Sequence, residues 1–182
     1  MKNDFDLMVI GGGSGGLASA QRAAEYGANV AVIEQAPLGG TCVNVGCVPK
    51  KVMWYAAQHT SFHKLAADYG FDIKIKSHDW AQLKKKRDAY IKRLNGIYER
   101  NLKARNIQLI RGPAKFKNQS TVTVNDIDYS SQKIVIATGG KPIVPEISGG
   151  KLGIDSDGFF ALNRCPSKVA IIGSGYIAVE LA

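Results

Sequence analysis

The sequence predicts an α/β fold, a doubly wound parallel sheet with a small antiparallel insert, on three observations. Short apolar runs end at glycines, an Ala-rich stretch separates the first two runs, and short β-branched segments cluster later in the chain. Asp6-Leu7-Met8-Val9-Ile10 has the length and composition of a buried parallel strand and stops at glycines. From Ser14 to Gly27 the chain is Ala-rich, with Leu17, Ala20, Ala23 and Ala24 at helical spacing and Gly27 as a C-terminal stop. Val30-Ala31-Val32-Ile33 is a second buried strand, closed by Glu34. Strand, glycine turn, helix and strand make a βαβ unit, whose crossover is expected to be right-handed.

A helix is predicted over 51–65 and a longer one over 80–105, where Leu83, Ile91, Leu94, Ile97, Tyr98 and Leu102 keep helical spacing. Short strands are predicted at 107–110, 114–116 and 121–124, punctuated by Gly112-Pro113 and Asn118. Ile134-Val135-Ile136-Ala137 is another buried strand, ending in Thr138-Gly139-Gly140. Pro142, Pro145 and Gly149-Gly150 mark a linker. Val169-Ala170-Ile171-Ile172 then predicts a strand, and the glycines from Gly173 open a second βα unit. The sequence stops at Ala182 inside that unit's helix, so the last residues are expected to belong to a larger domain.

At 182 residues there is room for one full domain and the start of another. Hydrophobic residues make up 45% and charged residues 21%, ordinary for a chain that buries a core. No apolar run approaches the ~20 residues that span a bilayer, and no signal peptide is expected before the first strand. Three cysteines without a secretory signal point to a reducing, cytoplasmic setting. The net charge is +9, and its densest run, Lys84-Lys85-Lys86-Arg87, reads as a solvated helix face. It lacks the interleaved aromatics of a nucleic-acid surface. No membrane or nucleic-acid partner is expected, while the charge suits an anionic small molecule or a phosphate-rich cofactor.

Gly11-Gly12-Gly13-Ser14-Gly15-Gly16 fits G-x-G-x-x-G between a strand and a helix. In that pattern the first glycine permits the tight turn, Gly13 lets the backbone approach a pyrophosphate, and Gly16 lets helix and sheet pack closely. The helix start offers free N–H groups and a partial positive charge. Glu34 lies at the end of the next strand, where a carboxylate meets ribose hydroxyls. Together these point to a dinucleotide site.

Cys42 and Cys47 follow in Gly39-Gly40-Thr41-Cys42-Val43-Asn44-Val45-Gly46-Cys47-Val48-Pro49-Lys50-Lys51. Beside a nucleotide site, such a pair suggests a disulfide opened and closed by a redox cofactor. Residues five apart on a regular helix rise about 7.5 Å and turn about 140°, beyond the reach of a disulfide. If the two bond, the segment is not straight helix, and Gly46 gives it freedom to break. Two unbonded thiols or half a metal site are the alternatives, though no zinc-like partners follow and no metal is expected. Lys50 lies one helical turn from Cys47 and suits stabilisation of a thiolate or an anionic ring. Cys165, beside Pro166, reads as structural.

Along its whole length the chain resembles the flavin- and pyridine-nucleotide-dependent disulfide reductases, most closely their glutathione reductase branch. The residues that carry the resemblance are Gly39–Lys51, Ala137-Thr138-Gly139-Gly140 and Gly173-Ser174-Gly175-Tyr176-Ile177-Ala178-Val179-Glu180. Similar dihydrolipoamide dehydrogenases and mercuric reductases typically carry Ser within the segment that reads Pro49-Lys50-Lys51 here. By this resemblance Gly11, Gly13, Ser14, Gly15, Gly16, Glu34, Thr41, Cys42, Lys50, Ala114, Thr138 and Gly139 hold FAD. Cys47 faces the flavin, Cys42 attacks the disulfide of oxidised glutathione, and Lys50 pairs with Glu180 near the reactive edge. Gly173, Ser174, Gly175, Tyr176, Ile177 and Glu180 begin the NADPH site, with Tyr176 as a movable lid. Ser14, Gln21 and Tyr98 match positions that contact glutathione. Gln21 stands where some members place an arginine, so that contact is neutral. Ala18 and Gln21 replace the Glu and Trp of the similar trypanothione reductases, and Asn101 agrees with the glutathione pattern.

The resemblance divides the chain into a first FAD-binding segment, 1–141, and a linker with the start of an NADPH domain, 142–182. It further implies a homodimer in the complete enzyme and a His–Glu acid pair from the partner subunit. His59, His63 and His78 do not stand in such a context, so little turnover is expected from 182 residues alone. The alternatives are a non-catalytic FAD-binding module, or a sister reductase acting on dihydrolipoamide, trypanothione or mercuric ion.

Overall fold

The computed structural model describes residues 3–182. The chain divides into two compact units, residues 1–44 with 92–141 and residues 45–91 with 142–182.

The first unit is built on a six-stranded sheet. Its strands are β1 (Asp4–Ile10), β2 (Val30–Glu34), β3 (Gln108–Arg111), β4 (Lys115–Phe116), β5 (Thr121–Val124) and β6 (Ile127–Ile136). Their order is β3-β2-β1-β6-β5-β4. β3, β2, β1 and β6 run parallel, while β5 and β4 close the edge antiparallel. The expected mostly parallel sheet with an antiparallel insert is present. Alternation along the strands builds two cores, one on each face. Met8, Ile10, Ala31, Ile33 and Ile110 point to one face, where Val122, Val124 and Tyr129 of the antiparallel strands complete the cluster. Val9, Val30 and Val32 point to the other. There they meet Leu17 and Ala20 of α1 (Ser14–Glu25) and Leu102 of α4 (Trp80–Ala104).

β6 is longer than the predicted apolar run, because it begins at Ile127. It pairs with β5 through Ile127–Ser130 and with β1 as far as Ile136. Asn125 and Asp126, both at positive φ (48° and 62°), make the two-residue turn between β5 and β6. Asn and Asp tolerate that conformation, which matches the twist of the strands.

The second unit is helical. α3 (Cys47–Leu65) begins at Cys47, earlier than the predicted start at 51, and takes Pro49 into its first turn where a missing N–H costs nothing. α5 (Ser156–Ala161) was not predicted; Asp155 caps it by accepting the Gly158 N–H at 2.9 Å. α6 (Tyr176–Leu181) follows the second glycine cluster. Val169–Ile172, predicted as a strand, is not one. The described residues of this unit supply no neighbouring strand, and a ladder needs a partner. Val169 and Ile172 stay 63% and 76% exposed.

The basic run also departs from expectation. Lys85 and Lys86 are exposed, but Arg87 is buried at 3% exposure. Its Nε and one terminal N–H donate to Asp88 at 2.9 and 2.7 Å, and the same terminal nitrogen donates to the Phe160 carbonyl at 2.7 Å. Burial pushes the Asp88 carboxyl up, but hydrogen bonds and charge from Arg87 and Lys84 outweigh it and hold the group below its ordinary 3.8. A depressed carboxylate contributes stability above the unfolded value and loses it as pH falls through the folded one. Asp88→Asn is therefore expected to lower the Tm at neutral pH, with the difference vanishing in acid below pH 3.8; thermal melts across pH check it.

Candidate functional site

The glycine turn at the carboxyl end of β1 is shaped by backbone approaching backbone. A Cβ at position 16 would stand 1.8 Å from the Gly11 carbonyl oxygen, and one at position 11 would stand 2.2 Å from the Ala137 oxygen. Gly11 donates its N–H to Ile33 O at 2.8 Å, and Ala137 donates to Ile10 O at 2.7 Å. The turn is thereby tied to β2 and to the end of β6 at once. It leads into α1, whose N-cap, Gly13, makes no side-chain cap and whose first turn carries no acid. A helix start in this state presents unpaired N–H groups to an anion.

Glu34 closes the turn from the next strand. Its Oε2 accepts the Gly12 N–H at 2.7 Å and its Oε1 accepts the Ala36 N–H at 2.7 Å. Each oxygen keeps a lone-pair direction for a ligand hydroxyl. Gly11, Glu34, Gly112, Ala114 and Thr138 line a cavity of about 180 Å³ here. That is smaller than the ~300–1,000 Å³ of pockets that enclose whole ligands, and it suits one end of an extended dinucleotide. Gly11, Glu34, Ala114 and Thr138 were singled out by sequence; Ile10, Ile33, Gln35, Gly112 and Pro113 complete the lining. Gly139 follows at positive φ (72°). A free helix start, a carboxylate aimed at the turn and a shallow cavity between them fit an adenosine diphosphate group.

The cysteine segment is fastened to the same turn. Gly39 donates to Gly12 O at 2.8 Å, and a Cβ on Gly40 would stand 2.7 Å from the Gly13 Cα. Gly40 opens α2 (Gly40–Val45), which carries exposed Thr41 and half-buried Cys42. Asn44 donates its amide hydrogens to Gly40 O at 2.9 Å and Leu38 O at 3.2 Å. Asn95 donates to Leu38 O at 2.7 Å and Asn44 Oδ1 at 3.0 Å. These two asparagines, not singled out by sequence, clasp the segment; a polar residue inside a Val-Asn-Val run was the available signal.

The helix breaks at Gly46 (φ −148°, ψ −118°), and α3 starts at Cys47. A straight helix through both cysteines is thus avoided. Cys47 is an exposed side chain at the first position of α3. Within the same unit Lys50 Nζ lies 2.7 Å from Glu180 Oε1, the side chains 25% and 43% exposed. Cys165 is exposed.

The remaining predicted positions are placed as follows. Ser14 begins α1 and is exposed, while Gln21 turns its amide back to Leu17 O at 3.1 Å. Tyr98 is half-buried against the Leu17 cluster. Gly173 has positive φ (114°) and Gly175 caps α6, but a Cβ on either would meet nothing within 4 Å. Tyr176 and Ile177 are exposed, 77% and 45%. The second glycine loop, with Ser174, thus lacks the backbone crowding of the first.

This strand–turn–helix with an acid on the neighbouring strand has the geometry of a dinucleotide site on an α/β fold. Residues 5–182 match the pyridine nucleotide-disulphide oxidoreductase family model, and the chain belongs to that family. It is 54% identical over 192 residues to the glutathione reductase of Yarrowia lipolytica, covering 98% of this chain and 41% of that protein. It is 54% identical over 187 residues to the glutathione reductase of Schizosaccharomyces pombe, covering 98% of this chain and 40% of that protein. The chain thus spans about two fifths of the length of these curated relatives. Among the described residues no helix is long and apolar enough to cross a membrane.

The glycines separate cleanly in a stability test. Gly16→Ala drives a methyl into the Gly11 oxygen and is expected to cost about 3 kcal/mol or more. Gly15→Ala, with nothing within 4 Å, is expected to be neutral or to stabilise the ligand-free chain by up to ~1 kcal/mol. Urea denaturation of the two variants measures both.

Proposed function

We propose that this chain supplies the FAD-binding and disulfide-bearing part of an NADPH-dependent reductase of oxidised glutathione. The observation that carries the reading is the fastening of the Cys42 segment, through Gly39 and Gly40, to the glycine turn that Glu34 closes. That fastening supports a reading in which thiol chemistry works beside a dinucleotide site. The names of the two relatives support glutathione disulfide as the substrate. In this reading residues 1–141 form the first FAD-binding segment and 142–182 a linker and the beginning of an NADPH-binding part. The enzyme works as a cytoplasmic homodimer.

Gly11, Gly13, Ser14, Gly15 and Gly16 would receive the FAD pyrophosphate, Glu34 and Ala114 the adenosine end, and Thr41, Thr138 and Gly139 further parts. Gly173, Ser174, Gly175, Tyr176 and Ile177 would begin the NADPH site. Bound FAD supplies acceptance of hydride and delivery of two electrons to the disulfide. The chain's residues do the rest. Cys42 thiolate attacks one sulfur of oxidised glutathione, forming a mixed disulfide and expelling one glutathione thiolate. Cys47 thiolate then attacks Cys42 Sγ, closing Cys42–Cys47 and releasing the second glutathione. An acid protonates the leaving thiolate; by the family resemblance it comes from a partner subunit. Lys50, paired with Glu180, would sit near the reactive edge of the flavin. Ser14, Gln21 and Tyr98 would contact glutathione.

The two cysteine roles are separable without flavin. Reduced Cys47→Ser incubated with oxidised glutathione is expected to retain one glutathione on Cys42, because the resolving thiol is missing. The unsubstituted chain is expected to close its own disulfide and retain none there, and Cys42→Ser to load far more slowly. Peptide mass spectrometry reads all three. Equal loading of Cys42 and Cys165 in Cys47→Ser counts against the assignment.

A further inference from the structure

The ion pair between Lys50 and Glu180 joins residues 130 apart in sequence, yet its carboxylate side chain is 43% exposed. Half-exposed pairs contribute little by themselves, so something else must bring the segment that ends in α6 against α3. The buried side chains of the same unit supply it. Arg87 donates to the Phe160 carbonyl at 2.7 Å, and Trp80 Nε1–H donates to the Leu162 carbonyl at 3.0 Å. Both acceptors lie at the C-terminal end of α5, where a helix leaves carbonyls unpaired and carries partial negative charge. Aromatic contacts reinforce the grip. Trp80 meets Phe159 edge-on at 6.4 Å, Phe159 meets Phe160 at 5.3 Å, and the guanidinium lies 5.7 Å from the Phe160 ring. The remaining Arg87 nitrogen reaches Met53 Sδ at 3.2 Å. Met53 is three residues from Lys50 and shares its face of α3.

We propose that Arg87 and Trp80 form a clamp on the end of α5 that positions Glu180 against Lys50, which makes both positioning residues for the reaction proposed above. One buried guanidinium touches the helix that carries Lys50 and the helix from which the chain runs on to Glu180. A cation buried at this depth is costly unless fully paired, and here its nitrogens are divided among Asp88, Phe160 and Met53. The significance of the clamp for chemistry rests on the glutathione-reductase reading. Its existence as a device does not.

Zero-length crosslinking with a water-soluble carbodiimide tests it in the full 182-residue chain. An amide between Lys50 and Glu180 forms only while the two remain in contact, and peptide mass spectrometry quantifies it. The Lys117–Asp128 pair, in the other unit, is the internal control. Arg87→Met and Trp80→Phe, the latter removing the N–H donor while keeping an aromatic ring, are each expected to cut the Lys50–Glu180 yield about fivefold. The control yield is expected to stay constant. Lys50–Glu180 yields equal to those of the unsubstituted chain overturn the proposal. A parallel fall of both crosslinks in both variants overturns it too, since the residues would then hold the fold at large. The readout is geometric, so it stands whether or not glutathione proves to be the substrate.

Discussion

One carbonyl oxygen sets the geometry of the first unit. The Gly11 oxygen occupies the space a side chain at position 16 would need, at 1.8 Å from any Cβ there. Helix α1 is thus drawn against β1 at backbone distance, closer than any residue with a side chain permits. The start of α1 then falls above the carboxyl ends of β1, β2 and β6, where ligands of open parallel sheets sit. Glu34 reaches Gly12 because β2 is held in register with β1 through Ile10 and Ile33. Gly40 can dock on the turn because it has no Cβ, which would stand 2.7 Å from the Gly13 Cα. The candidate nucleotide site and the cysteine segment thus meet at one glycine turn.

Much of this was legible in the residues. The strands β1 and β2, the helix between them and the acid after β2 follow from apolar runs, Ala spacing and glycine punctuation. The N-terminal half of β6 was not, since Asp128, Ser130, Ser131 and Gln132 hide its alternation behind polar side chains. Asn125-Asp126 carried the signal in its turn chemistry. Val169–Ile172 failed in the opposite sense. It has the composition of a strand, but strand formation is decided by a partner, which local composition does not report. Arg87 was obscured by the lysines around it, although its spacing from Leu83 and Ile91 puts it on the inward stripe of α4. Helical phase outweighed composition there.

The site divides in the same way. Glycines with a steric reason, and Glu34 with two backbone donors, were readable because the chemistry needs those residue types at those places. The Asn44–Asn95 clasp was not, because its partners lie 51 residues apart and nothing local announces them. Lys50 and Glu180, 130 residues apart, form an ion pair in the structure that in the sequence only the family pattern announces. The cysteines were readable as a pair, and the break at Gly46 supplies what the distance argument required, a segment that is not one straight helix.

The first glycine turn is the proposed seat of an adenosine diphosphate group. Titration of the full chain with FAD, followed by flavin fluorescence, addresses it most directly when ADP and FMN are added as competitors. Saturation at one FAD per chain, reversed by ADP and indifferent to FMN, is the predicted result. Displacement by FMN in place of ADP, or no saturable binding, would contradict it.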